Sequence, residues 1–221
     1  MIFHEYAGTR GGYVNLDVEG QVLLKQQGKV LLPKDISPFV SPRGGNKLFH
    51  FVHRRLSLAY SFGGWMENRR LLWQGSYLEE KQTFIHLGVD VNAPPGTEIS
   101  IDFEAHVVLI DDDYPEVGGW GPRVIVKSHD DGDYYIFAHL NREIPVEEGT
   151  RIFAGTVFAR VGRSPYNGKW FSHVHVQRVR ADVYEPHIKR GTLHRIDGYG
   201  AEKHIRKLAR EFPFPSGVVF I

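Results

Sequence analysis

Three short stretches of the sequence carry histidine and aspartate at spacings that suit a metal site. They are His86-Leu-Gly-Val-Asp90, Phe137-Ala-His139-Leu140 and His173-Val-His175. Histidine is the most common metal ligand in proteins and the usual acid or base near neutral pH. Two neutral imidazoles and one carboxylate, with a fourth position left open, are the ligands of a catalytic zinc site. These residues therefore favour metal-assisted hydrolysis, provided that the fold brings them together.

The last stretch is predicted to be a strand, because valines alternate with the two histidines. Side chains two residues apart on a strand share a face, with their Cα atoms about 6.6 Å apart. His173 and His175 can therefore approach one small site. One imidazole would bind a metal, and the other would reach the water or substrate beside it. A His-x-His pair alone is more often two solvent-facing strand residues.

The first stretch requires a bend. Gly88, Val89 and the following Pro94-Pro95 argue against a helix here. In a straight strand His86 and Asp90 would be about 13 Å apart, too far to share an ion bound at about 2 Å. If both bind one metal, the backbone must bend between them, and Gly88 is the residue that would permit it.

The remaining sequence predicts a mainly β fold. The 24 glycines and 12 prolines of the whole chain interrupt short β-branched or aromatic runs, for example at residues 22–24, 97–101, 106–110 and 124–127. We expect an antiparallel β-sandwich or open barrel with few short helices, at residues 201–212 and, less clearly, 50–60. Residues 1–56 are interpreted as an N-terminal extension or small subdomain, and residues 57–221 as the main domain with a C-terminal helix.

Composition restricts the possible partners and chemistry. The chain has no cysteine, which excludes disulfides, thiolate ligands and cysteine nucleophiles. The formal net charge of +1 offers no field to attract nucleic acid or an anionic membrane. We see no signal peptide and expect a cytoplasmic protein as the chain is written, although a mature exported form would look the same.

Taken together, the three stretches resemble the lysostaphin-type zinc endopeptidases, the family with a LytM-like domain (duplicated hybrid motif fold). That family has His-x-x-x-Asp, a Tyr/Phe-Ala-His-Leu-like strand and His-x-His in this order. The sequence around the three motifs is also similar to that of the family, and the resemblance covers roughly residues 60–180. It implies a β-rich core around a groove and one Zn²⁺ per chain on His86, Asp90 and His175. It further implies that His139 and His173 act in catalysis, and that the substrate is a peptide or a peptidoglycan fragment.

Some features leave alternatives open. In that family an acidic residue is common at the position of Gln177, and no wall-targeting module is visible in this sequence. A non-catalytic regulatory or binding protein on the same fold is one alternative, and a histidine phosphocarrier that uses His139 and His173 is another. Iron oxygenases use the same ligand types. Trp120, Tyr166 and Trp170 are candidates to line the groove, while Glu67 and Arg70 more often form a surface salt bridge. The roles of His139 and His173 cannot be divided between them from the sequence.

Overall fold

The computed structural model of the chain describes residues 8–113, 119–167 and 170–215. Most of these residues lie in or between short strands. The strands are β1 (Gly11–Tyr13), β2 (Tyr60–Gly63), β3 (Ile85–His86), β4 (Val89–Asn92), β5 (Glu98–Ser100), β6 (Ala105–Asp113), β7 (Gly121–Ser128), β8 (Tyr134–Ala138), β9 (Arg151–Ile152), β10 (Val157–Arg160), β11 (Val174–Val179) and β12 (Tyr199–Gly200). The α-helices are α1 (Leu16–Gln26), α2 (Pro42–Leu56), α3 (Arg70–Trp73), α4 (Tyr77–Lys81), α5 (Ala181–Lys189) and α6 (Ile205–Glu211).

Eight strands form one open sheet in the order β1-β2-β4-β11-β8-β7-β6-β9. Only the β1–β2 pair within it is parallel, and the other neighbours are antiparallel. The remaining strands pair as β10–β5 and β12–β3. The predicted mainly β class is therefore confirmed, as an open sheet that does not close into a barrel.

Strand β11 is central because it pairs with both β4 and β8. Val174 and Val176 point into the main apolar core and are fully buried. Since side chains alternate along a strand, His175 and Gln177 point to the opposite face. The antiparallel register places His175 opposite Asp90 on one side and opposite Ala138 on the other. This register brings residues from all three motifs to one place.

The N-terminal segment is more helical than its composition predicts. Residues 22–24, predicted as a strand, lie inside α1, so that prediction is wrong. The Asn15 side chain caps α1 by accepting from Val18 N at 2.9 Å, and Leu16, Leu23 and Leu24 are buried with helical spacing. A short apolar run fits a helix or a strand equally well, and here the cap and the packing decide.

The other predicted helices shift in position. α2 begins at Pro42 and ends at Leu56, earlier than the predicted 50–60. Near the C-terminus a 3-10 turn at Glu202–His204 precedes α6. α1 and α2 share an apolar cluster with Leu72, Trp170 and Phe171 of the following chain. The division at residue 56 stays a prediction. Within the described ranges no helix combines the length and the apolar character that a membrane span requires.

Candidate metal centre

The backbone breaks between His86 and Asp90, as the predicted site requires. β3 ends at His86 and β4 begins at Val89, so Leu87 and Gly88 separate two short strands. His86 Nε2 then lies 3.3 Å from Asp90 Oδ1. In a straight strand the Cα atoms of these two residues would be about 13 Å apart. A Cβ on Gly88 would lie 2.6 Å from the His175 imidazole, so glycine is needed here for close approach of the backbone. The predicted bend is confirmed.

His175 completes a group of three converging donor atoms. Its Nδ1 lies 2.9 Å from His86 Nε2 and 3.0 Å from Asp90 Oδ1, and all three side chains are buried. Ligands about 2.0–2.1 Å from a tetrahedral zinc ion would be separated by about 3.3 Å. Among the described residues, this is the one group of three or more His, Cys, Asp or Glu that could hold a metal ion.

The hydrogen bonds around His175 also fit a cation. The Gln177 amide donates to Asp197 O at 3.2 Å, which turns Gln177 Oε1 toward His175 Nε2 at 3.0 Å. His175 therefore carries its proton on Nε2 and presents a lone pair at Nδ1. That lone pair faces the Asp90 carboxylate, so the contact between His175 Nδ1 and Asp90 Oδ1 has no proton of its own. A neutral His86 has at most one proton on Nε2 for its contacts with both His175 Nδ1 and Asp90 Oδ1. A metal ion among the three atoms would satisfy all of them.

A buried arginine stands behind the carboxylate. Arg69 is 1% exposed and donates from Nη1 to Asp90 Oδ2 at 2.5 Å and from Nε to Glu67 Oε2 at 2.9 Å. Burial opposes the charge on Asp90, but the neighbouring His86 and Arg69 outweigh it and hold the pKa of Asp90 well below its usual value. Asp90 therefore stays ionised, with Oδ2 occupied by Arg69 and Oδ1 left for the metal.

Among the described residues, neither Glu67 nor Arg70 forms the predicted surface salt bridge. Glu67 is instead buried and paired with Arg69, which was not among the predicted site residues, and Arg70 is exposed with its guanidinium over the Phe84 ring. The only sequence signal is the spacing of Glu67 and Arg69, two apart beside β3. Backbone hydrogen bonds from His86 N to Glu67 O and from Arg69 N to Phe84 O hold that segment against the strand.

The other two histidines lie next to the three converging atoms. The ring centres of His139 and His173 are 4.4 Å apart, and His173 Nε2 is 4.0 Å from Asp90 Oδ1. Burial, and then the charge of its histidine neighbours, lowers the pKa of His139 well below its usual value. Burial is also the first cause that lowers the pKa of His173. Both imidazoles are therefore neutral at neutral pH.

The backbone fixes both of these rings. His173 Nδ1 donates to Phe171 O at 2.8 Å, so its lone pair is on Nε2, on the side of Asp90. His139 has a left-handed φ of 63°, held by hydrogen bonds from its N to Trp120 O and from Gly162 N to its O. The structure thus brings all five predicted histidine and aspartate residues together.

A cleft of about 430 Å³ opens onto the five residues. Its walls come largely from segments outside the three motifs, and they are mostly aromatic or small. They include Val40, Pro42, Trp73, Gly75, Ser76, Tyr77, Gly119, Trp120, Trp170, Asp197, Gly198 and Tyr199. Of the three aromatic residues predicted to line the groove, Trp120 and Trp170 do so. Tyr166 lies elsewhere, under the Arg142 guanidinium.

The chain is similar to proteins of known family. The sequence profile described as "Peptidase family M23" matches residues 84–185. Among solved structures, the catalytic domain of a mutant of the prophage-encoded M23 protein EnpA from Enterococcus faecalis is 26% identical (44% of this chain, 69% of that chain, TM-score 0.38). The lysostaphin catalytic domain from Staphylococcus simulans is 23% identical (44% and 68%, TM-score 0.37). A zinc-containing peptidase from Vibrio cholerae is 20% identical (43% and 27%, TM-score 0.36).

No curated protein matches the sequence. The profile match spans all three motifs, from the residue before β3 to the middle of α5. M23 is a family of zinc-dependent metallopeptidases, some of whose members are inactive. The resemblance drawn from the motifs is therefore confirmed at the level of the family. Residues 84–185 of this chain match the profile of Peptidase family M23, and this match supports a lysostaphin-type domain over these residues.

Proposed function

We propose that this chain is a zinc-dependent metallopeptidase that hydrolyses peptide bonds, with zinc on His86, Asp90 and His175. One observation carries the proposal: three donor atoms lie 2.9–3.3 Å apart in a cleft that also holds a second pair of imidazoles. A structural zinc site would use four protein ligands. Three ligands with two further histidines beside them suit an open site where a substrate reacts.

Zinc, when bound, polarises a carbonyl oxygen and lowers the pKa of a coordinated water toward about 7. The chain's own residues prepare the site for this chemistry. Arg69 keeps Asp90 ionised and leaves one carboxylate oxygen for the metal. Gln177 fixes the proton of His175 on the nitrogen that faces away from the metal. Aromatic residues form part of the cleft wall beside these groups.

His173 is proposed as the general base. Its neutral imidazole presents a lone pair at Nε2, because Nδ1 donates to Phe171 O. It can therefore take a proton from the attacking water and return it to the leaving amine. The Phe171 carbonyl, which accepts from Nδ1 at 2.8 Å, stabilises the positive charge that His173 then carries.

His139 is proposed to stabilise the tetrahedral intermediate. It is neutral and buried, and its Nδ1 has no hydrogen-bond partner among the residues that the structure describes. A neutral imidazole keeps one N–H, which can donate to the carbonyl oxygen as negative charge develops there. The left-handed backbone at His139 holds this ring against His173, so the two histidines can act on the same reacting group.

The test is hydrolysis of a panel of short peptides and purified peptidoglycan fragments by the zinc-loaded protein. We expect turnover by the wild type, loss of zinc and activity in His175→Ala, and zinc retention with at least 100-fold slower turnover in His173→Ala. His50→Ala, on an exposed helix position, is the matched control and should be fully active. Bound zinc without turnover on any substrate would contradict the enzymatic proposal and favour a binding protein on the same fold.

A further inference from the structure

The segment from Asp197 to Tyr199 borders the metal centre, although it lies outside the residues that match the family. Gly198 O accepts from Leu87 N at 2.9 Å, and β12 pairs with β3 so that Tyr199 lies opposite His86. A Cβ on Gly198 would lie 3.3 Å from the Trp120 indole and 3.7 Å from His175 Cε1. Asp197 is therefore one residue from backbone that touches a proposed zinc ligand.

Asp197 is held in place by its own backbone. Its carbonyl oxygen accepts from the Gln177 amide, and its Oδ1 accepts weakly from Tyr199 N at 3.4 Å. Asp197 lines the cleft. Of the lining residues within the described ranges, Asp197 is the one with an ionisable carboxylate besides Asp90, which Arg69 neutralises. This leaves a carboxylate in the cleft wall with capacity to accept a further donor.

Aromatic rings line the same cleft as this carboxylate. The Trp120 ring centre is 5.3 Å from that of His175, and the Tyr199 ring centre is 5.1 Å from that of His86. A carboxylate and aromatic rings in one cleft attract an ammonium group through both the ion pair and the electron-rich ring faces.

We propose that Asp197 and Trp120 form a subsite for a substrate ammonium group next to the scissile bond. The proposal rests on the proposed peptidase function and names its substrate class: short peptides with a free N-terminus. Asp197 is next in the chain to Gly198, whose backbone lies beside His175, so the proposed subsite borders the metal centre where the scissile carbonyl would react. A cleft of about 430 Å³ is also of the size that encloses a small molecule.

The test uses three probes on the zinc-loaded chain of 221 residues, with affinities measured by calorimetry. Phenylalanine hydroxamate carries a free α-amine beside a zinc-binding group, N-acetyl-phenylalanine hydroxamate lacks the charge, and Nα-acetyl-lysine hydroxamate moves it to the side chain. We expect the free α-amine to improve affinity at least about tenfold over both acetylated probes, as a charge-assisted hydrogen bond would.

Asp197→Asn should reduce this preference to about twofold or less while the affinity for the N-acetyl probe stays the same. Asp130→Asn makes the same charge change at the turn after β7, about 25 Å along that strand from the cleft, and should keep the full preference. The wild-type comparison needs no variant, so a folding defect in Asp197→Asn would not remove the test.

Equal affinities of the wild type for the free and acetylated phenylalanine probes would overturn the subsite, as would failure of all three to bind zinc-loaded protein. A preference for the lysine probe would overturn the N-terminal assignment. These results differ from failure of the proposed function, in which the chain would bind no zinc or would bind zinc and hydrolyse no peptide.

Discussion

Removal of Arg69 should expose how strongly the metal centre depends on one buried charge. The guanidinium lies between Glu67 and Asp90, and all three side chains are at most 2% exposed. Arg69→Met would leave two buried carboxylates without their cation. Removing one member of a buried ion pair typically costs about 3–5 kcal/mol. We expect a loss of this size for the metal-free protein, equivalent to about 6–20 °C in Tm for a chain of this length.

A second substitution, Glu67→Gln, tests the same group of charges, because its effect on the free energy of unfolding should change sign when Arg69 is absent. In the wild type, Glu67→Gln weakens a charged hydrogen bond to Arg69 and should destabilise the protein by about 1–3 kcal/mol. In the Arg69→Met background, the same change removes one of two like charges and should stabilise it by about 1 kcal/mol or more. Saturating zinc should reduce the difference in free energy of unfolding between Arg69→Met and wild type, since the ion supplies a counter-charge to Asp90.

The assay is urea unfolding of chelator-treated protein, with the free energy of unfolding extrapolated to water. Arg55→Met is the control, because it breaks an ion pair with Glu19 in which Arg55 is 36% exposed and should cost less than about 1 kcal/mol. If Glu67→Gln destabilised both backgrounds equally, Arg69 would not act as the shared counter-charge and the account of Asp90 would be wrong.

Three further predictions follow from single contacts. Gln177→Leu should weaken zinc binding about 10–100-fold in competition with a chelator, because His175 loses its orienting acceptor; an unchanged affinity would contradict that role. Gly88→Ala should cost about 1–3 kcal/mol in urea unfolding, since the new Cβ meets the His175 ring; a neutral effect would refute the close approach. Burial, helped by His50, lowers the pKa of His53 to about 4 from 6.5, so the unfolded chain binds more protons between these values and stability falls as the pH falls. Between pH 7 and 4.5, the free energy of unfolding of His53→Gln should fall by about 1–2 kcal/mol less than that of the wild type, a figure that allows for the partial exposure of His53. Equal losses in the two proteins would exclude His53 as the cause.

The convergence of His86, Asp90 and His175 could be predicted from the sequence, because it follows from local rules together with the resemblance of the three motifs to a family. Alternation along β11 fixes which valines and which histidines share a face. The incompatibility of a straight strand with one metal site predicts the break at Gly88. The five side chains lie on strands whose pairing follows from their antiparallel register, and that register is what converts three separate motifs into one site.

Other parts of the site depend on packing between distant segments, which spacing alone does not reveal. Arg69 meets Asp90 across 21 positions of sequence, and Gln177 orients His175 only because its amide reaches Asp197. The cleft walls at Val40 and Pro42 come from a segment whose helical character the composition did not predict. In each case the partner is set by how the helical segment and the C-terminal segment pack on the sheet.

The central claim is that His175 holds zinc whereas His173 does not, although both lie on or beside the same strand, two residues apart. Zinc content per chain, measured by elemental analysis on protein purified without chelator or metal-affinity resin, tests it directly. The account predicts about one zinc in the wild type and in His173→Ala, and none in His175→Ala. Equal zinc in both variants, or a wild type that binds none after zinc is added back, would contradict it.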